Sequence, residues 1–201
     1  MNILALDYST QSTGYSIYSE ENQKLIKFGI IKPNIKRKKG EGELSFLLNR
    51  LHNIGDQILS IIKEFNPEII LIEEVNFGRA GRLSQKTLNG GHFILLTSIR
   101  DYISRVKYVD SDGKTGWRTI LGIKFSTKEL RRIKDLKKLN KGLKGKSKHI
   151  IRTRKHLACD YANKEFSMTL NPDSNKADAD LGDSLCLLLS FLKTRKKDIL
   201  S

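Results

Sequence analysis

The chain has 201 residues, with 37 Lys or Arg against 22 Asp or Glu, and a formal charge of +15. Its 38% hydrophobic residues fall into periodic runs, which excludes wholesale disorder and predicts one folded domain over residues 1–201, while no run approaches the roughly 18 apolar residues of a membrane span. The positive excess predicts a polyanionic partner, and two cysteines without zinc-ligand spacing, Cys159 and Cys186, predict a reducing cytoplasm and no structural zinc.

Residues 3–7, 14–18 and 25–31 are short β-branched or alternating runs parted by polar turns, a pattern that predicts three antiparallel strands in a meander. A basic loop containing Lys36, Arg37 and Lys38 follows. Leu44, Leu47, Leu48, Leu51, Ile54, Ile58, Ile61, Ile62 and Phe65 then recur at helical spacing, so a long amphipathic helix is expected to end before Pro67. Residues 68–73 are too few for a helix and too apolar for a surface strand. They predict a central strand covered on both faces.

After a second basic loop with Arg79 and Arg82, residues 84–106 predict another helix, which Gly90 and Gly91 weaken near its start. Tyr108 and Val109 would begin a fifth strand, and residues 117–123 a short helix that anchors the sole tryptophan in the core. Residues 128–155 differ in kind: 13 Lys or Arg against Glu129 and Asp135 leave a net +11. Gly142 and Gly145 divide this stretch, so two helical parts joined by a mobile link are expected. Lysine predominates in it, notably Lys137, Lys138, Lys141, Lys144, Lys146 and Lys148, and a flexible point charge suits phosphate contact better than base reading. The last helix is expected over about residues 178–193, with Asp178 as its N-cap.

Four carboxylates stand where a bland core would not put them. Asp7 ends the first strand, Glu73 the fourth, and Asp180 and Asp183, three residues apart, share one face of the last helix. Singly, an Asp after a strand is a turn former and an Asp in a first helical turn complements the helix dipole. Together they offer four hard oxygen donors, a set suited to Mg²⁺ or Mn²⁺. Glu74 competes with Glu73, because strand alternation puts the two on opposite faces and the residues alone do not say which one faces Asp7. His52, His92, His149 and His156 are expected at the surface or against phosphate.

The order of strand ending in Asp, two further strands, helix, strand ending in Glu and final helix with Asp-x-x-Asp resembles the ribonuclease H-like α/β fold, whose mixed five-stranded sheet is flanked by helices. Within it, the chain is most similar to the RuvC family of Holliday junction resolvases. Asp7 followed by Thr13-Gly14-Tyr15 resembles the family's first motif, Ile72-Glu73-Glu74-Val75 its Ile-Glu-x-Val, and Ala179-Asp180 to Asp183-Ser184-Leu185 its Ala-Asp-x-x-Asp-Ala-Leu. The segment from Trp117-Arg118 to Leu121-Gly122-Ile123 resembles small phage-encoded members, which would place the protein in a host cytoplasm.

The resemblance implies a crossover junction endodeoxyribonuclease that binds two Mg²⁺ ions, with Mn²⁺ able to substitute, through Asp7, Glu73, Asp180 and Asp183. It assigns Glu73 over Glu74. It implies a homodimer that makes paired symmetric nicks in branched DNA, especially four-way junctions, and puts an aromatic residue, here Phe77 although offset along the chain, near the junction centre. Tyr8-Ser9 replaces the Pro-Gly usual in bacterial relatives. The residues alone also admit cleavage of RNA/DNA hybrids or a DNA-binding module without catalysis, whereas an actin-like ATPase, which the Asp7-Tyr8-Ser9-Thr10 turn resembles, would need a second Asp-x-Gly phosphate loop that no suitable strand end carries.

Overall fold

The computed structural model describes residues 1–74, 82–143 and 148–200, with backbone alone for 82–85 and 197–200. Five strands, β1 (Asn2–Asp7), β2 (Thr13–Ser19), β3 (Lys24–Ile31), β4 (Ile69–Glu73) and β5 (Val106–Val109), form one sheet in the order β3-β2-β1-β4-β5. The first three are antiparallel, and β1, β4 and β5 run parallel. The fold is therefore mixed α/β with an antiparallel meander on one side, as the sequence predicts.

Alternation along the central strands sends side chains to two different cores. Leu4, Leu6, Ile70 and Ile72 pack beneath α1 (Glu43–Phe65) and α2 (Arg82–Ser98), against Ile54, Ile58, Ile62, Leu95 and Ile99. On the other face Ile3, Ala5 and Leu71 pack beneath α3 (Trp117–Leu121), α5 (Arg154–Phe166) and α6 (Lys176–Leu200), against Trp117, Ala158, Cys186, Leu187 and Leu188. Both faces of β1 and β4 are covered, which is why these strands read as nearly continuous apolar runs.

Helix α1 ends where Asn66 turns left-handed at φ 40° and returns its N–H to the Ile62 carbonyl, one residue before Pro67. Helix α2 runs through Gly90 and Gly91 but stops at Ser98. A 3₁₀ turn over Arg100–Arg105 follows it, so the predicted helix over 84–106 is really two elements, and the fifth strand starts at Val106 rather than Tyr108. Gly91 lies where α2 passes closest to Tyr8: a Cβ there would stand 2.8 Å from the Tyr8 hydroxyl, which would have to shift.

Helix α6 also differs from expectation. It begins at Lys176 and extends to Leu200. The Asn175 side chain accepts the Ala177 N–H, so Asp178 is not the cap; it lies within the first turn and accepts the Asn171 N–H and the Asn175 amide.

The basic stretch forms one helix, α4 (Thr127–Leu139), started by a capping box between Ser126 and Glu129. Among the described residues the next helical part begins at Arg154, where α5 returns the chain to the core. Between them the Asn140 side chain donates to the His149 carbonyl and accepts the His149 N–H, a two-bond clamp. The expected mobile link falls partly on residues 144–147, outside the described residues. No residue of α4 is buried. Among the described residues, no helix is long and apolar enough to cross a membrane.

Candidate active site

Parallel β1 and β4 are in register, Leu6 beside Ile72, so their carboxyl ends leave the sheet side by side. Asp7 continues the face of Ile3 and Ala5, and Glu73 that of Leu71, the face covered by α6. Glu74 turns to the α1 and α2 side, where its charge adds to burial in raising the pKa of Tyr108 and its N–H is bonded to the Val109 carbonyl. Strand geometry thus pairs Asp7 with Glu73, the choice that the residues alone left open.

Helix α6 delivers Asp180 and Asp183 to the same place. Gly14, the partner of Asp7 across the β1–β2 ladder, lies against the α6 backbone: a Cβ there would stand 2.0 Å from the Asp180 carbonyl oxygen. Only glycine admits so close an approach. The electrostatics agree in putting the four groups in one region. Asp7 titrates well above the usual carboxylate range because of burial and then the charges of Asp183, Glu73 and Asp180, against which Lys155 works. Asp183, 4% exposed, is pushed up to about 7 by burial and by Glu73 and Asp180, with Arg118 and Lys155 opposing.

Among the described residues, two cations face this acid cluster. The Arg118 guanidinium, stacked 4.2 Å from the centre of the Trp117 ring, lies 3.9 Å from a Glu73 oxygen, 3.8 Å from Asp183 and 3.5 Å from Asp112. Asp112 also receives Arg154 at 2.8 Å. Lys155 donates to Asp180 Oδ1 at 2.8 Å while the Ser12 hydroxyl donates to Asp180 Oδ2, so both oxygens of Asp180 are engaged. Burial works against the Lys155 ammonium, but the hydrogen bond to Asp180 and the charges of Asp180, Asp183 and Asp7 outweigh it and raise its pKa.

Sequence reading missed Arg118, Lys155, Ser12 and Asp112 as members of this site. Arg118 carried one signal, its place beside the sole tryptophan, whereas Lys155 was one cation in a run and Ser12 one hydroxyl in a polar turn.

The donor set fits a hard divalent cation. It is all carboxylate oxygen, and Asp183 Oδ1 is buried with no hydrogen-bond partner among the described residues, an acceptor without a donor. Among the described residues, no three acidic, His or Cys groups stand close enough as placed to hold one ion between them. Asp180 is held by Ser12 and Lys155, while Glu73 and Asp183 lie across Arg118.

The nucleic-acid candidates fall into two groups. Lys36, Arg37 and Lys38 are exposed ahead of α1, with Arg37 Nε bonded to the Glu41 carbonyl, and Lys137, Lys138, Lys141 and Lys148 are exposed on or after α4. Phe77, Arg79, Lys144 and Lys146 lie outside the described residues, as does the side chain of Arg82. One side of α4, with Glu129, Arg132, Ile133 and Leu136, faces Ile150 and Arg152. By helical spacing Arg131, Lys134 and Lys138 lie on the opposite side.

The histidine expectation needs correction. His92 is 7% exposed and packs edge-on to Tyr8, with ring centres 4.8 Å apart, and burial lowers its pKa to about 4. His156 is tied into the fold, with Nε2 2.9 Å from Asp173 and Nδ1 against Thr153. Neither reaches the carboxylates.

The sheet order, the antiparallel first three strands and the helical cover define the ribonuclease H-like fold. Within that class the chain shares its architecture with RuvC. It superposes on Thermus thermophilus RuvC with a TM-score of 0.57 at 15% identity over 98% of this chain and 97% of that one. The T. thermophilus RuvC in complex with a Holliday junction substrate gives 0.54 at 12% identity, over 98% and 96%. No family model matches the sequence, and no curated protein matches it.

Proposed function

We propose that this protein is a divalent-metal-dependent endonuclease that cuts branched DNA, and that its substrate is the four-way junction. The observation that carries the reading is the meeting of Asp7, Glu73 and the Asp180–Asp183 pair on one face of the sheet. Asp7 and Asp183 are raised first by burial and then by the neighbouring carboxylates, so the site calls for added positive charge. The shared fold with a protein whose structure holds a Holliday junction substrate adds to it.

In this reading Asp7, Glu73, Asp180 and Asp183 are the metal ligands. Bound divalent ions, two by analogy with other carboxylate nucleases, supply activation of the attacking water and polarisation of the phosphodiester; Mg²⁺ is the expected ion and Mn²⁺ the substitute. The protein's own part is placement. Gly14 lets α6 seat Asp180 beside Asp7, and Arg118, fixed by Trp117 and Asp112, holds Glu73 and Asp183 in a fixed relation. The exposed lysines of α4 and its following segment bind DNA backbone. Two symmetric nicks require two sites related by a twofold axis, so the acting form is a homodimer.

The deciding experiment compares Mg²⁺-dependent cleavage of a four-way junction, a fork, linear duplex and an RNA/DNA hybrid. Paired nicks in the junction, with little cutting of duplex, are expected. Preferential cutting of the hybrid would transfer the assignment to a ribonuclease, and binding without cleavage to a DNA-binding module.

A further inference from the structure

The acid cluster carries its own counter-cations, and they differ in how firmly they are held. Arg118 is 15% exposed at the side chain, stacked on Trp117 and paired with Asp112, so it is built in. Lys155 sits in the first turn of α5 with its side chain 49% exposed and reaches Asp180 through its flexible stem. It can leave without any movement of the helix. Asp180 is meanwhile fixed by the fit of its backbone against Gly14 and by the Ser12 hydroxyl on Oδ2.

From this geometry we infer that Lys155 is the exchangeable counter-cation of Asp180: a divalent ion enters by displacing its ammonium from Oδ1, while Ser12 keeps Oδ2. The inference rests on the metal-dependent reading above and deepens it. An ammonium in hydrogen-bond contact and a divalent ion on the same Oδ1 would stand within a few ångströms and repel one another, so binding of one disfavours the other. Ser12 then acts as a positioning residue, orienting a ligating carboxylate from behind. The displaced ammonium, a compact charge on a long stem, is free to meet a DNA phosphate. Because linkage is reciprocal, a phosphate that draws Lys155 away strengthens ion binding by the same factor as the ion strengthens phosphate binding through Lys155.

The test is calorimetric titration of the full-length protein with Ca²⁺ and with Mn²⁺, without DNA, each variant first checked for folding by circular dichroism. Lys155→Met removes the competitor, and binding should tighten about fivefold, the size of a partly exposed ion pair. Ser12→Ala should weaken binding about tenfold or more. Lys155→Arg, which keeps the charge, should bind no more tightly than wild type. The melting temperature of Lys155→Met in EDTA should fall below that of wild type and rise further on saturation with ion. A role confined to packing would weaken ion binding in both Lys155→Met and Ser12→Ala, so opposite signs are the signature. Equal or weaker binding by Lys155→Met overturns the exchange while leaving the metal site intact. Failure of the wild-type protein to bind either ion removes the metal-dependent reading itself, and the exchange with it.

Discussion

Gly14 and Asp180 meet backbone to backbone, and their contact sets the depth at which α6 lies on the sheet: a single added carbon on Gly14 would come within 2.0 Å of the Asp180 carbonyl oxygen and 2.8 Å of the Leu181 nitrogen. Neither obstacle is a flexible side chain. Gly14→Ala should therefore push α6 outward, costing about 1–3 kcal/mol of stability as overpacking does, and should lower cleavage more than junction binding. Chemical denaturation and a cleavage time course measure the two effects. Unchanged stability would mean that α6 is not pressed against β2.

The carboxylates themselves give the sharpest test. Asp7→Asn, Glu73→Gln, Asp180→Asn or Asp183→Asn should each reduce cleavage about a thousandfold or more, corresponding to the several kcal/mol that metal-ion catalysis supplies, with junction binding kept in gel-shift assays. Glu74→Gln faces the opposite core and should cleave nearly as wild type does. Near-normal turnover by Asp7→Asn or Glu73→Gln would refute the site.

Metal replacement separates binding from chemistry. Mg²⁺ and Mn²⁺ should support cleavage, whereas Ca²⁺, larger and tolerant of irregular geometry, should support junction binding with little turnover. EDTA should abolish cutting, and full activity in its presence would exclude metal-ion catalysis.

On the basic stretch, joint neutralisation of Lys137, Lys138, Lys141 and Lys144 should weaken binding to junctions of different sequence by similar factors. The slope of log affinity against log salt should flatten by roughly 0.9 for each duplex-arm phosphate that is no longer neutralised. An unchanged slope would leave Lys36, Arg37, Lys38, Arg79 and Arg82 as the phosphate-binding surface.

His92 predicts a pH effect that owes nothing to the carboxylates. Its folded pKa of about 4 lies below the ordinary 6.5, so between these values the unfolded chain binds the proton and the native state does not. The stability due to neutral His92 is thus present above about 6.5 and lost as the pH falls towards 4, up to about 3 kcal/mol in all. His92→Gln should flatten this acid limb when melting is followed from pH 7 to 4. The same slope in the variant would show that His92 is not buried uncharged.

Much of this architecture was legible in the sequence, because the central strands and α1 carry their burial as periodicity: Ile58 and Ile62 repeat at helical spacing, and Ile70 to Ile72 run unbroken because both faces are covered. The three acidic motifs sat at element ends, where a register of one residue decides direction, so Glu73 and Glu74 could be separated only when β4 was laid beside β1. Ser12 and Lys155 were illegible for another reason. Each meets Asp180 through space, from 168 and 25 positions away, and nothing local distinguishes them from neighbouring hydroxyls and lysines. The start of α6 was misread because Asp178 looks like a cap, whereas Asn175 has the backbone N–H within reach.

The Asn140–His149 clamp has a thermodynamic corollary. Two hydrogen bonds seal Asn140 to His149, nine positions along the chain. Because the closure entropy of a loop grows only slowly with its length, residues can be gained or lost inside the seal at small thermodynamic cost and without displacing α4 or the carboxylate-bearing core. In the reading proposed above, changes of length and charge between positions 140 and 149 would thus alter DNA binding at little cost to stability or to the carboxylate site.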